Sequence, residues 1–224
     1  FVLLDSQLRA YSVAQGILTF QGQTATTGYV AEGITGRKRL FVGGGFAYAT
    51  SYPGYDVFDV QNLAFPVRVG NASTPGPNSF KQIVANGSGL GVATVGVNPR
   101  NDGTHDLWLY DVSDPTRTGD LLTTFSTPDV ARAVAIYNGL AYVADSAGGM
   151  HVMSYLAYDT QGIPPTIALS TNFVSGQAEE GKVMRVTAAV ADDSQVRSVQ
   201  FYINDVQTQT DGNFPFEVRF ITPR

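Results

Sequence analysis

The chain has 224 residues, no cysteine and a formal net charge of −5 at pH 7. The lack of cysteine excludes disulfides and thiolate metal sites, and the acidic balance predicts no nucleic-acid partner. Glycine (24), phenylalanine (13) and tyrosine (11) are frequent while charged residues reach only 15%, which is typical of an all-β protein rich in turns. No apolar run reaches the length of a membrane-spanning helix, so the sequence predicts no transmembrane helix in this segment.

The first 156 residues contain an internal repeat of short apolar runs separated by turns. Four similar segments centre on Ala10, Val57, Leu109 and Val152, at spacings of 47, 52 and 43 residues. The runs are β-branched and aromatic, and pairs such as Asn138-Gly139 between them favour hairpins. Four antiparallel strands in each 43–52 residues is the period of a β-propeller blade.

The runs of each repeat give the predicted strands in chain order. A complete repeat has a first, second, third and fourth run. First runs lie at 39–42, 80–85 and 131–136, second runs at 1–6, 46–51, 90–95 and 140–145, third runs at 8–13, 55–60, 107–112 and 150–155, and fourth runs at 17–20, 66–69 and 120–125.

One segment has a competing interpretation. Residues 128–136 are rich in alanine, and Asp129 could cap a helix there. The corresponding segments that begin at Arg39 and Phe80 have no helical pattern, so the repeat favours a strand. We therefore predict a strand in this segment.

The repeat resembles the LVIVD repeat, a bacterial β-propeller family. The clearest copies run from Ala131 to Tyr155 and from Asp106 to Pro115, with N-G-L-A-Y-V-A-D in the first and L-W-L-Y-D-V-S-D-P in the second. The resemblance covers about two thirds of the chain and implies a partial propeller of about three and a half four-stranded blades. Met153-Ser154-Tyr155 departs from the Asp-Val pair of the family, and residues 98–105 are inserted.

So few blades cannot close a ring, because propellers use about four to eight. We expect further blades to precede Phe1 in the native chain. Completion of the ring by another chain is the alternative, since open strand edges favour pairing between chains.

A second domain is predicted after a Pro-containing linker at residues 161–165. Apolar alternation indicates strands at 166–170, 182–191, 196–204 and 214–221. The region resembles bacterial immunoglobulin-like modules, with matches at 165–169, 186–192, 196–205 and 215–216. A full sandwich needs about 100 residues, so this module is expected to be incomplete at its C-terminus. The predicted domains are a partial propeller at 1–160 and an immunoglobulin-like module at 166–224.

Two acidic segments are candidate calcium sites, and no other cofactor is predicted. Asn98, Asp102 and Asp106 offer oxygen ligands in one loop, although Arg100 places a cation where a ligand is needed; the alternative is a solvated hairpin loop. In modules of the resembling family, an acidic turn such as Asp192-Asp193 can bind calcium between domains. The alternative there is a strand-ending turn whose side chains accept backbone hydrogen bonds.

Two tyrosines are the best candidates for an exposed binding surface. Tyr52 and Tyr55 flank Pro53-Gly54, whereas most other repeat aromatics are expected to pack between blades. The basic run at residues 37–39 is interpreted as a solvated strand start rather than an anion site. His105 and His151 are the only histidines, and neither belongs to a catalytic motif, so no catalytic residue is predicted.

The sequence thus predicts a bacterial extracellular or cell-surface protein that acts in binding, adhesion or assembly. Its expected partners are other protein chains or missing parts of its own chain. The alternative is a secreted enzyme whose catalytic residues lie in the central channel of the propeller or in missing blades. Convergent acids or histidines on channel-facing loops would favour the enzyme, and an exposed aromatic or polar patch would favour the binding protein.

Overall fold

A computed structural model describes residues 1–4, 6–27, 39–51, 53–72, 79–96, 106–173 and 177–223 of the chain. These residues form an all-β structure of short antiparallel sheets, and the helical element among them is a 3₁₀ turn at Ser146–Gly148. In the described part of the chain, no helix has the length and apolar character needed to cross a membrane. The fold class predicted from composition is therefore confirmed as all-β.

The strands of the first 156 residues lie close to the predicted runs. They are β1 (Val2–Leu3), β2 (Gln7–Ala14), β3 (Ile17–Ala25), β4 (Leu40–Gly43), β5 (Phe46–Ser51), β6 (Gly54–Asp59), β7 (Val67–Gly70), β8 (Ser79–Ala85), β9 (Leu90–Gly96), β10 (Asp106–Asp111), β11 (Leu121–Ser126), β12 (Ala133–Tyr137), β13 (Leu140–Ala144) and β14 (Met150–Ser154). The predicted strand at 131–136 is confirmed as β12, so the alternative helix is wrong.

These strands form four sheets in which every hydrogen-bonded neighbour is also the next strand in sequence. Sheet 1 has the order β1-β2-β3, sheet 2 β4-β5-β6-β7, sheet 3 β8-β9-β10-β11 and sheet 4 β12-β13-β14. Short turns allow this meander. Between β12 and β13, Asn138 and Gly139 have φ of 50° and 76°, the left-handed pair that a two-residue hairpin needs.

The four sheets pack face to face in chain order, with an apolar layer between each pair. In β5, Ala47 and Ala49 face Leu8 of sheet 1, whereas Tyr48 faces Phe80 of sheet 3. A third layer joins sheets 3 and 4. Successive side chains of a strand point to opposite faces, so each inner sheet contributes to two layers. Burial of one large side chain such as Phe58 contributes about 1.5–3 kcal/mol to these layers.

The first strand of sheet 3 contains a β-bulge at Lys81. Its pairing with β9 passes from Phe80↔Val95 directly to Gln82↔Thr94, so Lys81 has no partner in the ladder. Phe80 and Ile83 are three residues apart, yet both belong to the layer between sheets 2 and 3. Strict alternation would place them on opposite faces, and the extra residue in the bulge corrects the phase.

The C-terminal part is a small two-layer sandwich. Its strands are β15 (Thr166–Thr171), β16 (Val183–Ala191), β17 (Val199–Ile203), β18 (Val206–Asp211) and β19 (Glu217–Ile221), in the orders β15-β16-β19 and β17-β18. Ala188, Phe201, Phe216 and Val218 form its core. Four strands confirm the predicted runs. The sequence analysis missed β18, because its side chains are mostly polar and exposed and so lack alternation.

Candidate functional site

Three equivalent turns at one end of sheets 2, 3 and 4 contact the C-terminal sandwich. They join the first and second strands of each sheet and comprise residues 43–45, 86–89 and 138–139, which we call the seat. A Cβ atom added at Gly43, Gly44 or Gly87 would lie closer than 3.0 Å to the ring of Phe214. The ring therefore packs directly on glycine backbone, an approach that any side chain in these turns would prevent.

Hydrogen bonds fix the sandwich to the second turn of the seat. The side-chain Oε1 of Gln195 accepts hydrogen bonds from Asn86 Nδ2 at 2.5 Å and from Ser88 Oγ at 2.9 Å. The backbone N–H of Val196 donates to Ser88 Oγ at 3.0 Å. Asn86 is itself held in place, since its Oδ1 accepts from the N–H groups of Ser88 and Leu90, each at 3.0 Å.

The third turn adds a backbone contact. The N–H of Asn138 donates to the carbonyl oxygen of Gly212 at 2.8 Å. A Cβ at Gly139 would lie 3.2 Å from Cγ of Arg197, so the sandwich also approaches this turn closely. Because contacts at three separate turns define a plane, the seat determines the orientation of the sandwich on the sheets.

A cavity of about 270 Å³ lies between the seat and the sandwich. Phe46, Tyr48 and Val112 line it from the sheets, and Val190 and Pro215 line it from the sandwich. Burial raises the pKa of the Tyr48 hydroxyl to about 12, so this hydroxyl stays protonated at neutral pH. The volume lies just below the range of about 300–1,000 Å³ that is common for small-molecule pockets.

The opposite end of the same first strands carries positive charge. Arg39 precedes β4, Lys81 lies near the start of β8 and Arg132 precedes β12; we call these three residues the basic end. The charges of Arg132 and Arg39 both act on Lys81. Burial first, and then these two arginines, lower the pKa of Lys81 to about 8. Four to six residues of extended chain separate the basic end from the seat, about 13–20 Å.

A buried carboxylate and a histidine lie beside the basic end. Asp145 is fully buried, and its Oδ2 accepts the N–H of Asp129 at 3.0 Å and lies 3.0 Å from Nε2 of His151. Its Oδ1 has no hydrogen-bond partner among the described residues. One hydrogen bond therefore links Asp145 to His151, but no described contact places a nucleophile on the imidazole.

The expectation that Tyr55 is exposed was wrong. Its side chain is 0% exposed and packs between sheets 2 and 3, with its ring centroid 5.5 Å from that of Tyr110 in an edge-to-face arrangement. Tyr55 lies two residues before the buried Val57, so strand alternation places both side chains in the same apolar layer. Burial raises the pKa of Tyr55 far above its ordinary value. Tyr52, the other predicted surface residue, lies outside the described residues.

The calcium candidates remain predictions. Asn98 and Asp102 lie outside the described residues, and Asp106 is described only by its backbone at the start of β10. Burial, and then the negative charge of Asp193, raise the pKa of the partly exposed Asp192. Within the described ranges, no group of three metal-ligating side chains is present.

Sequence reasoning missed both the seat and the basic end. A signal for the basic end was present, because Arg39, Lys81 and Arg132 all lie at the start of a first run in the repeat. The seat had a weaker signal in the small residues of its turns. The contact of Phe214 with those turns joins residues far apart in the chain, and no local pattern encodes such a contact.

Comparisons with known proteins identify a family for one part of the chain. Residues 165–224 match the family model of the bacterial Ig domain, which confirms the predicted immunoglobulin-like module. No match to the LVIVD repeat or to another propeller family was found. No curated protein matches the chain. A solved structure, that of the computationally designed Ika4 protein, is similar at 13% identity with a TM-score of 0.45, covering 67% of this chain and 80% of that one.

Proposed function

We propose that this chain is part of a bacterial extracellular or cell-surface protein that acts in binding, adhesion or assembly rather than in catalysis. The observation that carries the proposal is the bacterial Ig domain at residues 165–224, packed on the seat. Bacterial Ig domains are typical of extracellular proteins. Here the domain is held in one orientation, as a module that presents its neighbour would be.

In this proposal, sheets 1 to 4 are blades of a partial β-propeller that spans residues 1–160, followed by a linker at 161–165. Three features support this arrangement. The sheets are meanders of consecutive strands, and they pack face to face in chain order. Strands β4, β8 and β12 also lie side by side, with their starts at the basic end and their ends at the seat. These are the relations between successive blades around a central axis.

Exposed apolar side chains support assembly with other protein surfaces, either of other chains or of further parts of this protein. Ile17, Leu18 and Phe20 of β3 are 67%, 65% and 51% exposed. A cluster of exposed apolar residues on a strand marks an interaction surface more often than a scattered residue does. Strand β3 lies at one edge of sheet 1, where its backbone can also pair with another strand.

The localisation can be tested with an antibody raised against this chain, applied to intact and to permeabilised cells of the source bacterium and to the culture medium. The proposal expects labelling of intact cells or recovery of the antigen from the medium. Labelling that occurs only after permeabilisation would refute an extracellular role. An abundant cytoplasmic protein probed in parallel reports whether the intact cells have remained closed.

A second candidate function, a secreted enzyme, is supported by the Asp145–His151 pair beside the basic end. Convergent acids and histidines at this place are what an enzyme in the central channel would have. The test is a screen for hydrolysis of ester, phosphoester and glycoside substrates with the protein and with His151→Asn. Turnover that the protein shows and the folded variant lacks would establish the enzyme. Equal rates would assign the pair a structural role.

A further inference from the structure

The basic end groups three cationic side chains on a protein whose net charge is −5. We propose that Arg39, Lys81 and Arg132 form a binding site for a single oxyanion group, namely a sulfate, phosphate or carboxylate. The inference extends the proposed function, since it gives the basic end a ligand class. It does not depend on whether the protein is also an enzyme.

The backbone arrangement brings the three residues together. Strand β8 lies between β4 and β12, and Gln82 connects all three. Its Oε1 accepts a hydrogen bond from Nη1 of Arg39 at 2.6 Å and another from the N–H of Val134 at 3.2 Å. Gln82 follows Lys81, and Val134 is two residues after Arg132, so this one amide sets the spacing of the three strand starts.

A buried hydroxyl fixes the first two positions further. Thr50 is 1% exposed, and its Oγ1 accepts the N–H of Arg39 at 3.0 Å. The same Oγ1 lies 3.3 Å from the carbonyl oxygens of Arg39 and Lys81, to which it can donate. The backbones that carry two of the three cations are therefore held by one buried group, and such preorganisation lowers the entropy cost of binding.

The bulge in β8 has a direct role at this site. As the extra residue of the bulge, Lys81 is released from the alternation that sends Phe80 and Ile83 into the apolar layer. β-Bulges next to functional sites commonly redirect a side chain in this way. In a regular strand, the side chain at this position would point into one of the two apolar layers that flank sheet 3.

The charges around Lys81 favour an anion. Arg39 and Arg132 face it with positive charge, and the carboxylate of Asp129 acts on it with negative charge. Asp129 is partly engaged, since its Oδ1 accepts the N–H of Val130 and its Oδ2 that of Ala147. Within the described residues, no carboxylate forms an ion pair with any of the three cations. The positive charge therefore exceeds the negative charge around Lys81.

The geometry indicates the class of ligand. Guanidinium groups donate two parallel hydrogen bonds to an oxyanion with two terminal oxygens, and a lysine adds a point charge. Three cations on an otherwise acidic chain suit one anionic group rather than an extended polyanion. The ligand can be a free anion or the anionic substituent of a larger molecule, and the three inorganic or small probes below distinguish the preferred oxyanion.

The proposal is tested by isothermal titration calorimetry with sodium sulfate, sodium phosphate and sodium acetate, at low ionic strength set with chloride. Saturable binding of at least one anion is expected. Lys81→Met and Arg132→Gln should each weaken it about tenfold, since each removes a charge-assisted hydrogen bond. Arg117→Gln and Arg219→Gln remove the same charge at exposed positions away from the basic end, and these controls should bind like the unchanged protein.

Two further measurements keep the test decisive. Lys81→Arg keeps the charge, so it should bind more tightly than Lys81→Met, and circular dichroism reports whether each variant folds. Affinity should fall as the pH rises from 7 to 9, because Lys81, with its pKa at about 8, loses its proton over this range. Absence of saturable binding, or equal weakening by the control variants, would overturn the proposal.

Discussion

Single residues determine how closely the sandwich approaches the sheets. The ring of Phe214 occupies space that a side chain on Gly43, Gly44 or Gly87 would fill. Gly87 also has a positive φ of 82°, a conformation that residues with a Cβ adopt at a cost. Two separate requirements therefore select glycine here, one from the backbone and one from the neighbouring ring.

Gly87→Ala should destabilise the protein more than the same substitution at a glycine that is required only for its positive φ. Gly16 has a φ of 78°, and a Cβ there would meet nothing within 4 Å, so Gly16→Ala is the matched control. The control should lower the free energy of unfolding by about 1–2 kcal/mol, the cost of the left-handed conformation. Gly87→Ala should lose about 1–3 kcal/mol more, because Phe214 must move. Urea unfolding measures both, and equal losses would contradict the packing of Phe214.

The second prediction at this scale concerns Asp192. Its pKa is raised in the folded protein by burial and by the charge of Asp193. The folded state therefore binds the proton of this carboxyl more tightly than the unfolded state does, so the free energy of unfolding falls as the pH rises and the carboxyl ionises. A bound calcium ion would offset the repulsion. We therefore expect about 1 mM Ca²⁺ to raise Tm. This concentration lies in the affinity range of extracellular calcium modules.

Asp192→Asn should abolish this calcium response and should raise Tm slightly when calcium is absent, since it removes the repulsion. Asp205→Asn, in the exposed turn between β17 and β18, is the control and should keep the response. Differential scanning fluorimetry with and without EDTA measures all three proteins. An unchanged Tm of the parent protein on addition of Ca²⁺ would show that Asp192-Asp193 is only a strand-ending turn.

At the scale of elements, the sequence predicted strands where their side chains alternate and missed them where they do not. The repeat identified β4, β8 and β12 because apolar residues recur in each copy, and it correctly favoured a strand over a helix at 131–136. Strand β18 was missed because Val206 begins a segment whose remaining residues are polar. The bulge at Lys81 was also missed, since it depends on pairing with β9 and leaves no separate mark in the sequence.

Thr50 of β5 bonds to residues at the starts of β4 and β8, and this position gives a prediction. Thr50→Val keeps the shape of the side chain and removes the oxygen that accepts the N–H of Arg39. We expect the free energy of unfolding to fall by about 1–3 kcal/mol, because a polar group is left without a partner. Thr19→Val, at an exposed position of β3, should change it by less than about 0.5 kcal/mol. Chemical denaturation tests this, and equal effects of the two substitutions would contradict the role of Thr50.

At the scale of the whole molecule, the seat makes one unit of two parts that the sequence predicted as separate domains. The contacts of Phe214 and Gln195 with the seat should couple their unfolding. Calorimetry of the protein should therefore show one transition, and Phe214→Ala with Gln195→Ala should separate it into two.

The matched control for this double variant is Phe65→Ala with Gln207→Ala. Phe65 is 74% exposed and Gln207 lies on the exposed strand β18, and neither forms one of the seat contacts described above. This variant should unfold in one transition near the original Tm. Two transitions in the unchanged protein would show that the seat does not couple the two parts.

The sequence by itself determined the all-β class, the repeat, most strand positions and the Ig domain, because strand alternation and turn chemistry are local and recur in each copy. Tertiary structure alone decided that Tyr55 is buried, since its apolar layer is completed by Phe80 and Tyr110 of another sheet. It also decided the seat and the basic end. Both join residues from different sheets, and only the packing of those sheets brings their ends into contact.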